Sequence, residues 1–323
     1  MIFSLLSSGL AFFGLQFVKT FEGLLVAMFF IMVIADMFRP AMFVSLGAYA
    51  KPENRTRALT LVRLAINLGF AAGPALGGLL IMTVGYKGLF WVDGATCILA
   101  ILIFWILVKE KKKSKYTDKE NPGEVLTHSV FKDKPFWIFL SGTIITGVLF
   151  FQLFTTIPLY HKEQFNLSEF QTGLLLTLNG VLVFFLEMPI VSYIERYKID
   201  KLKVITYGCL AMAISLYLLL INQWAGILIV MMLFMTFAEM FAFPFSNSFA
   251  MSRAPKGHEG RYMAIFTMCY STAHILSAEA GMEMIDLFSY QHNWFFMGTL
   301  GIIGVVLFIW TSRLVKKEPP HNI

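Results

Sequence analysis

The chain predicts an all-α fold, a multi-spanning membrane helical bundle of about ten transmembrane helices in a 4 + 6 arrangement. Three observations carry that expectation. Of the 323 residues, 57% are hydrophobic and only 14% charged, and the mean hydropathy is +0.70, whereas a soluble domain carries about 25% charged residues. The apolar residues fall in long unbroken runs. A run of about 20 apolar residues crosses a bilayer as a helix, because in lipid a segment must satisfy its own backbone groups. Finally, the basic residues gather in alternate loops.

The first run, near 2–18, has no basic residue ahead of it and meets its first charge at Lys19, so it reads as a span rather than a signal peptide. Runs near 24–49, 60–83 and 88–108 follow it. The segment 109–134 (KEKKKSKYTDKENPGEVLTHSVFKDK) is polar and carries Asn121-Pro122-Gly123, which reads as a solvated linker. Six more runs come after it, near 136–160, 171–194, 202–221, 224–250, 262–285 and 294–313. Trp137, Trp224 and Trp294 at span ends fit an interfacial aromatic belt.

With a cytoplasmic N-terminus, the inside loops and adjoining span ends hold 22 of the 26 Lys and Arg residues, including Arg57, Arg196, Arg261 and eight lysines between Lys109 and Lys134. The outside loops hold Lys19, Lys87 and Lys162, and Arg39 falls within a span. Positive charge marks the cytoplasmic side. The net charge of +6 therefore reads as topology and not as a nucleic-acid patch. A multi-pass protein of the cell (inner) membrane with both termini cytoplasmic is expected, with the lipid bilayer as its partner and a monomer as its state. Cys97, Cys209 and Cys269 stand singly, without disulfide or metal spacing. No nucleotide loop, metal-ligand cluster or catalytic triad emerges. No enzymatic activity and no cofactor are expected, and short loops leave an ion gradient, of protons or another ion, as the energy source.

A repeat underlies the 4 + 6 split. At one offset of 204 residues, Pro40 aligns with Pro244, Arg57 with Arg261, Gly77 with Gly281, Tyr86 with Tyr290 and Phe90-Trp91 with Trp294-Phe295. Runs 202–221 and 224–250 then fall on the first two runs, while 136–160 and 171–194 have no earlier partners. Parallel repeats of six spans typify one transporter architecture, so the register predicts that two helices preceding Met1 are missing.

The third run carries GFAAGPALGG over Gly69, Gly73, Pro74, Gly77 and Gly78. It resembles the fifth-helix signature G-x-x-x-G-P-x-x-G-G of drug:proton antiporters in the major facilitator superfamily, with Thr60 where that pattern has an earlier glycine. Ordinary small-residue packing is the plainer reading, since glycines let helices approach and Pro74 bends the helix. The segment 51–57 (KPENRTR) resembles the family's fourth-to-fifth loop, and Phe90-Trp91-Val92-Asp93 the start of its sixth helix. Glu239–Arg261 (EMFAFPFSNSFAMSRAPKGHEGR) is similar to its tenth helix and following loop. Pro189–Lys201 resembles the weak second copy of the G-x-x-x-D-R-x-G-R/K loop, with Glu195-Arg196 for Asp-Arg and no glycines. The resemblance implies a truncated N-terminal bundle over 1–108 (family helices 3–6), a cytoplasmic linker over 109–134 and a six-helix bundle over 135–323 (helices 7–12). It also implies that 24–49, 136–160 and 224–250 line a central cavity.

Ionisable groups inside a span cost about 2.5–3.5 kcal/mol each to insert and so invite a functional reading. Asp36 and Arg39 share a helix face; Asp36 is a candidate proton carrier with Arg39 beside it, or the two form a static ion pair. Glu239, five residues before Pro244, is a candidate cavity carboxylate, or else a buried Glu bonded to a neighbouring helix. Glu187, before Pro189, reads as a structural residue at a gate, as do Gly69, Gly73, Pro74, Gly77, Gly78, Arg57 and Arg261. Glu279, Glu283 and Asp286 read as a hydrated interfacial face, and His274 as a bonded core histidine. Asn67, Gln152, Asn179 and Asn247 suit interhelical bonds better than substrate contact. The resemblance implies a secondary transporter, an exporter of small organic molecules driven by proton entry through alternating access, with the substrate unspecified. The other reading is a non-transporting membrane remnant or partner subunit.

Overall fold

The computed structural model describes residues 1–38, 42, 55–107, 130–221, 224–255 and 259–318, with only the backbone of 55–61, 63, 64, 67, 71 and 259. The described residues are all-helical: α1 Ile2–Leu15, α2 Phe21–Asp36, α3 Arg55–Val84, α4 Tyr86–Leu107, α5 Lys134–Phe151, α6 Thr156–Phe165, α7 Glu169–Arg196, α8 Lys201–Leu218, α9 Ile227–Arg253, α10 Glu259–Leu287 and α11 Tyr290–Lys317. With α5 and α6 counted as one interrupted rod, these are ten rods. The α5–α6 rod, α4, α7, α8, α9 and α11 are long and apolar enough to cross a bilayer, and α1 and the Leu68–Val84 part of α3 are shorter apolar helices.

Local chemistry sets the ends. Thr20 accepts from Gly23 N at 3.2 Å and opens α2, Asp133 accepts from Phe136 N at 3.1 Å and opens α5, and Asp200 accepts from Leu202 N at 3.0 Å and opens α8. These are N-caps, in which a side-chain oxygen satisfies an orphan amide. A single residue, Gly85, joins α3 to α4 at φ +80°, a left-handed conformation that glycine adopts without a Cβ penalty.

The run expected at 136–160 is interrupted at Gln152–Thr155. Pro158 has no N–H for the carbonyl of Phe154, and its ring crowds the preceding turn. Ile157 N instead donates to Gln152 O at 3.0 Å, a wider turn than an α-helix makes. A second difference lies at the linker's end. Val130 and Asp133, expected in a solvated segment, are buried, because Val130–Lys132 form a 3₁₀ turn packed into the core with Phe136.

Contacts gather the helices into two compact units. One holds α1–α4 with Glu169–Gly173 at the start of α7, and the other holds α5, α6, the rest of α7 and α8–α11. In the first, α1 packs on α4 and α2, and α3 packs on α4. In the second, α8 packs on α11 and α9, and α10 packs on α11. Its core has two apolar clusters, one around Trp294, Tyr160, Met231 and Met235, the other around Phe136, Phe139, Phe249, Phe266 and Phe308.

The 204-residue offset recurs in these contacts. Arg55 and Glu259, which open α3 and α10, are 204 positions apart, as are Tyr86 and Tyr290, which open α4 and α11. Within the first unit, a Cβ on Gly94 would lie 2.8 Å from the ring of Phe13; in the second, a Cβ on Gly298 would lie 2.7 Å from the ring of Tyr217. Gly9 faces Cys97 as Ala213 faces Gly301, with the glycine on the opposite helix. Ser4 Oγ donates to Ile34 O at 2.6 Å, and at the corresponding crossing Gly208 sits 2.9 Å, at its Cβ position, from Ala238 O. Each pair in one unit maps onto its partner pair at the same offset. Pro40, the partner of Pro244, lies outside the described residues.

These crossings predict a matched pair of outcomes. Gly94→Leu and Gly298→Leu each drive a side chain into an aromatic ring and lower stability by about 1–3 kcal/mol. Thermal unfolding of the purified protein in detergent measures this. Gly14→Leu, where nothing among the described residues lies within 4 Å, leaves the midpoint unchanged. An equal loss at Gly14 would show that any added bulk, rather than these crossings, is responsible.

Candidate functional site

Within the second unit, α9 carries a single acidic residue, Glu239, buried in the middle of the helix. Ala238 and Ala242 of α9 meet Gly208 of α8, where a Cβ would lie 2.9 Å from Ala238 O and from Ala242 N, so the two backbones nearly touch. Thr236 and Glu239, three residues apart, share an adjoining face. Glu239 is 9% exposed. Asn179 of α7 donates from Nδ2 to Thr236 Oγ1 at 3.0 Å, which places its amide beside Glu239. Thr236 Oγ1 in turn donates to Met232 O at 2.6 Å. Among the described residues no salt bridge reaches Glu239. Pro244 lacks the N–H that the carbonyl of Met240 would accept, which loosens the helix just beyond the carboxylate. The arrangement can bind and release a proton inside an apolar core with no fixed counter-ion among the described residues.

The other expected residues are dispersed. Asp36 is exposed at the last residue of α2, and Arg39 lies outside the described residues, so the pair expected on one face has only one described member. Glu187 is buried on α7. Gly69 and Gly73 lie on an exposed face of α3 with nothing among the described residues within 4 Å of a Cβ, Gly77 has Leu89 at 3.7 Å, and Gly78 is buried. Pro74 is half-buried inside the continuous helix α3. The loop segment 51–54 and the side chains of Arg57 and Asn67 fall outside the described residues, and Arg261 is exposed on α10. Glu279, Glu283 and Asp286 are exposed on α10. His274, expected as a core histidine, is exposed instead, its ring centroid 4.6 Å from that of Phe151. Asn247 is exposed on α9.

Two polar clusters were not assembled from sequence. At the break between α5 and α6, Gln152 is fully buried. Its Nε2 donates to Ser277 O and Oγ, each at 2.9 Å, and its Oε1 accepts from Thr156 and, at 3.3 Å, from Asn293. Ser277 Oγ passes on a bond to Val148 O at 2.9 Å. The knot ties α5, α6, α10 and α11, and a Cβ on Gly281 would collide with Gln152 and Thr156 at 2.7–2.9 Å. Pro158, six residues after Gln152, was the available signal.

The second cluster lies where α5 begins and α9 ends. Arg253 donates to Asp133 through Nε at 2.9 Å and Nη2 at 2.8 Å, and to Glu318 through Nη2 at 2.7 Å and through Nη1. Tyr262 of α10 adds a bond to Asp133 at 3.0 Å. Here the signal was Asp133-Lys134-Pro135, an N-cap followed by a proline in the first turn. Among the described residues, no three His, Cys, Asp or Glu side chains group to hold a metal ion.

Comparison with known proteins gives one family. The model of the Major Facilitator Superfamily matches residues 1–278. The chain is 21% identical over 314 residues to a Na(+), Li(+), K(+)/H(+) antiporter of Planococcus maritimus, covering 89% of this chain and 73% of the relative. It is 26% identical over 210 residues to the quinolone resistance protein NorA of Staphylococcus aureus (strain COL), covering 63% of this chain and 52% of the relative. Among solved structures, a POT family transporter in complex with 5-aminolevulinic acid shares the fold with a TM-score of 0.78 at 15% identity, covering 98% of this chain and 81% of that one.

Proposed function

We propose that this chain, a secondary transporter that belongs to the Major Facilitator Superfamily, exports small organic molecules in exchange for protons by alternating access. The observation that carries this is Glu239, a buried carboxyl on α9 with a hydrogen-bonding amide beside it and no salt bridge among the described residues. A group that must load and unload a proton in each cycle needs that setting: a carboxylate locked to an arginine stays ionised. Asp36 is the second candidate, with Arg39 as its neighbour. The proton in the name of the Planococcus antiporter and the quinolone resistance in the name of NorA support the exchange and the cargo class.

In this reading α1–α4 and α8–α11 are two copies of one module, equivalent to family helices three to six and nine to twelve, and the contacts that recur at the 204-residue offset support it. Residues 109–134 link the bundles on the cytoplasmic side, where both termini lie, and the working form is a monomer in the cell membrane.

The test is transport by the purified full chain in sealed liposomes. With the cargo-accepting side about two pH units more acidic than the other, exchange of one proton for one monovalent cation supports about a hundredfold gradient of cargo, since each pH unit is worth a factor of ten. Ethidium is the first probe and sodium the second. Accumulation of ethidium that a protonophore collapses is the expected result. Accumulation of sodium alone would replace the organic cargo with a monovalent cation, and no response of either to the pH gradient would end the proton-coupled reading.

A further inference from the structure

We infer that Asn179 and Thr236 are positioning residues that hold one amide N–H on the Glu239 carboxylate and so let its proton load change the tie between α7 and α9. The inference rests on Glu239 being the proton carrier, and it adds how the proton is felt by the fold.

The orientation of the amide follows from the hydroxyl beside it. The Thr236 proton is already given to Met232 O at 2.6 Å, so Thr236 Oγ1 can only accept from Asn179. The group that faces it at 3.0 Å is therefore Nδ2, a donor, and not the amide oxygen. An amide nitrogen carries two N–H groups. With one committed to Thr236, the other is free to meet Glu239, one turn further along the same face of α9. A hydrogen bond to an ionised carboxylate is roughly twice as strong as one to a neutral group. Proton loading thus weakens the bond that runs from α7 to α9.

The rest of the unit makes that bond matter. Among the described residues α7 has no extensive backbone packing against another helix of its unit. Among the described residues, the groups seen against this stretch of α9 from its other neighbours are uncharged: Gly208 of α8 at Ala238, Ser215 of α8 at Met235, and Tyr270 of α10 and Phe150 of α5 against Phe243. A conformational equilibrium is shifted only by an interaction that differs between its states, and the second N–H of Asn179 supplies Glu239 with one in this reading.

The experiment is the pH profile of cargo exchange by the full chain in liposomes, with ethidium as the probe. Thr236→Val keeps the shape of the side chain and frees the amide to rotate. It is expected to displace the midpoint of the profile by about half to one pH unit, the equivalent of one ordinary hydrogen bond, with the maximal rate kept within about threefold. Asn179→Leu displaces it at least as far, while Thr236→Ser, which retains the hydroxyl, restores the wild-type midpoint. Glu239→Gln flattens the profile. If Thr236→Val instead lowers the rate by one factor at every pH, the pair is merely structural and this inference fails while Glu239 keeps its role. If Glu239→Gln retains the wild-type profile, the carrier assignment fails first.

Discussion

Glu239→Gln leaves a folded protein that still exchanges cargo across the membrane but no longer accumulates it against a gradient. Glutamine matches glutamate in size and keeps a hydrogen-bonding group next to Asn179, so the close crossing of α8 and α9 at Gly208 and Ala238 is untouched. What it removes is the ability to differ between a proton-loaded and an unloaded state. A pH gradient does work only through such a difference, since a ligand with equal affinity for both states shifts nothing. Under a pH difference of about two units the expected fall is therefore from about a hundredfold accumulation to none, with counterflow of labelled against unlabelled cargo kept. Loss of counterflow together with accumulation would mean that the substitution damaged the fold or the cargo site, and retained accumulation would move the proton to Asp36.

Arg253→Ala has the largest expected effect on stability, about 3 kcal/mol or more, because it strands a buried charge. The Asp133 side chain is 5% exposed, and its oxygens take two bonds from Arg253, one from Tyr262 and one from the α5 amide of Phe136. Removing the guanidinium leaves an ionised carboxylate with neutral donors only, and releases Glu318 beyond α11 as well. Arg253→Lys keeps the charge but not the planar fork that reaches both carboxylates, and retains part of the loss, roughly 1–2 kcal/mol. Tyr262→Phe gives up one bond, about 1 kcal/mol. The order Ala, Lys, Phe in the thermal unfolding midpoint is the expected result. An Arg253→Ala protein as stable as wild type would show that the cluster only solvates its own charges.

The helices were legible because their apolar runs are long and their boundaries are marked by charges and caps. The starts of α3 and α10, and of α4 and α11, even obey the register read from Tyr86 and Tyr290. The inward and outward faces were not legible. Nearly every span is apolar all round, so the 3.6-residue stripe that distinguishes a core face is faint. Asp36 and Glu239 look alike in the sequence, each a lone acid in an apolar run, yet Asp36 is exposed at the end of α2 and Glu239 is buried against α7. Which neighbour Glu239 meets depends on how α7 and α9 rotate about their axes, and no local pattern encodes that. The Gln152 knot escaped for the same reason, compounded by an apolar run that continues through the break. The Asp133–Arg253 cluster escaped because both residues lie in segments rich in charge, where Arg253 was one positive residue among many.

Proton exchange at Glu239 is the claim on which the transport account depends, and infrared difference spectra of the purified full chain in lipid, recorded as the pH is stepped, measure it directly. The account predicts a protonated-carboxyl band that appears and vanishes with pH in the wild-type protein, shifts in Thr236→Val and is missing from Glu239→Gln. A band that persists unchanged in Glu239→Gln would contradict it.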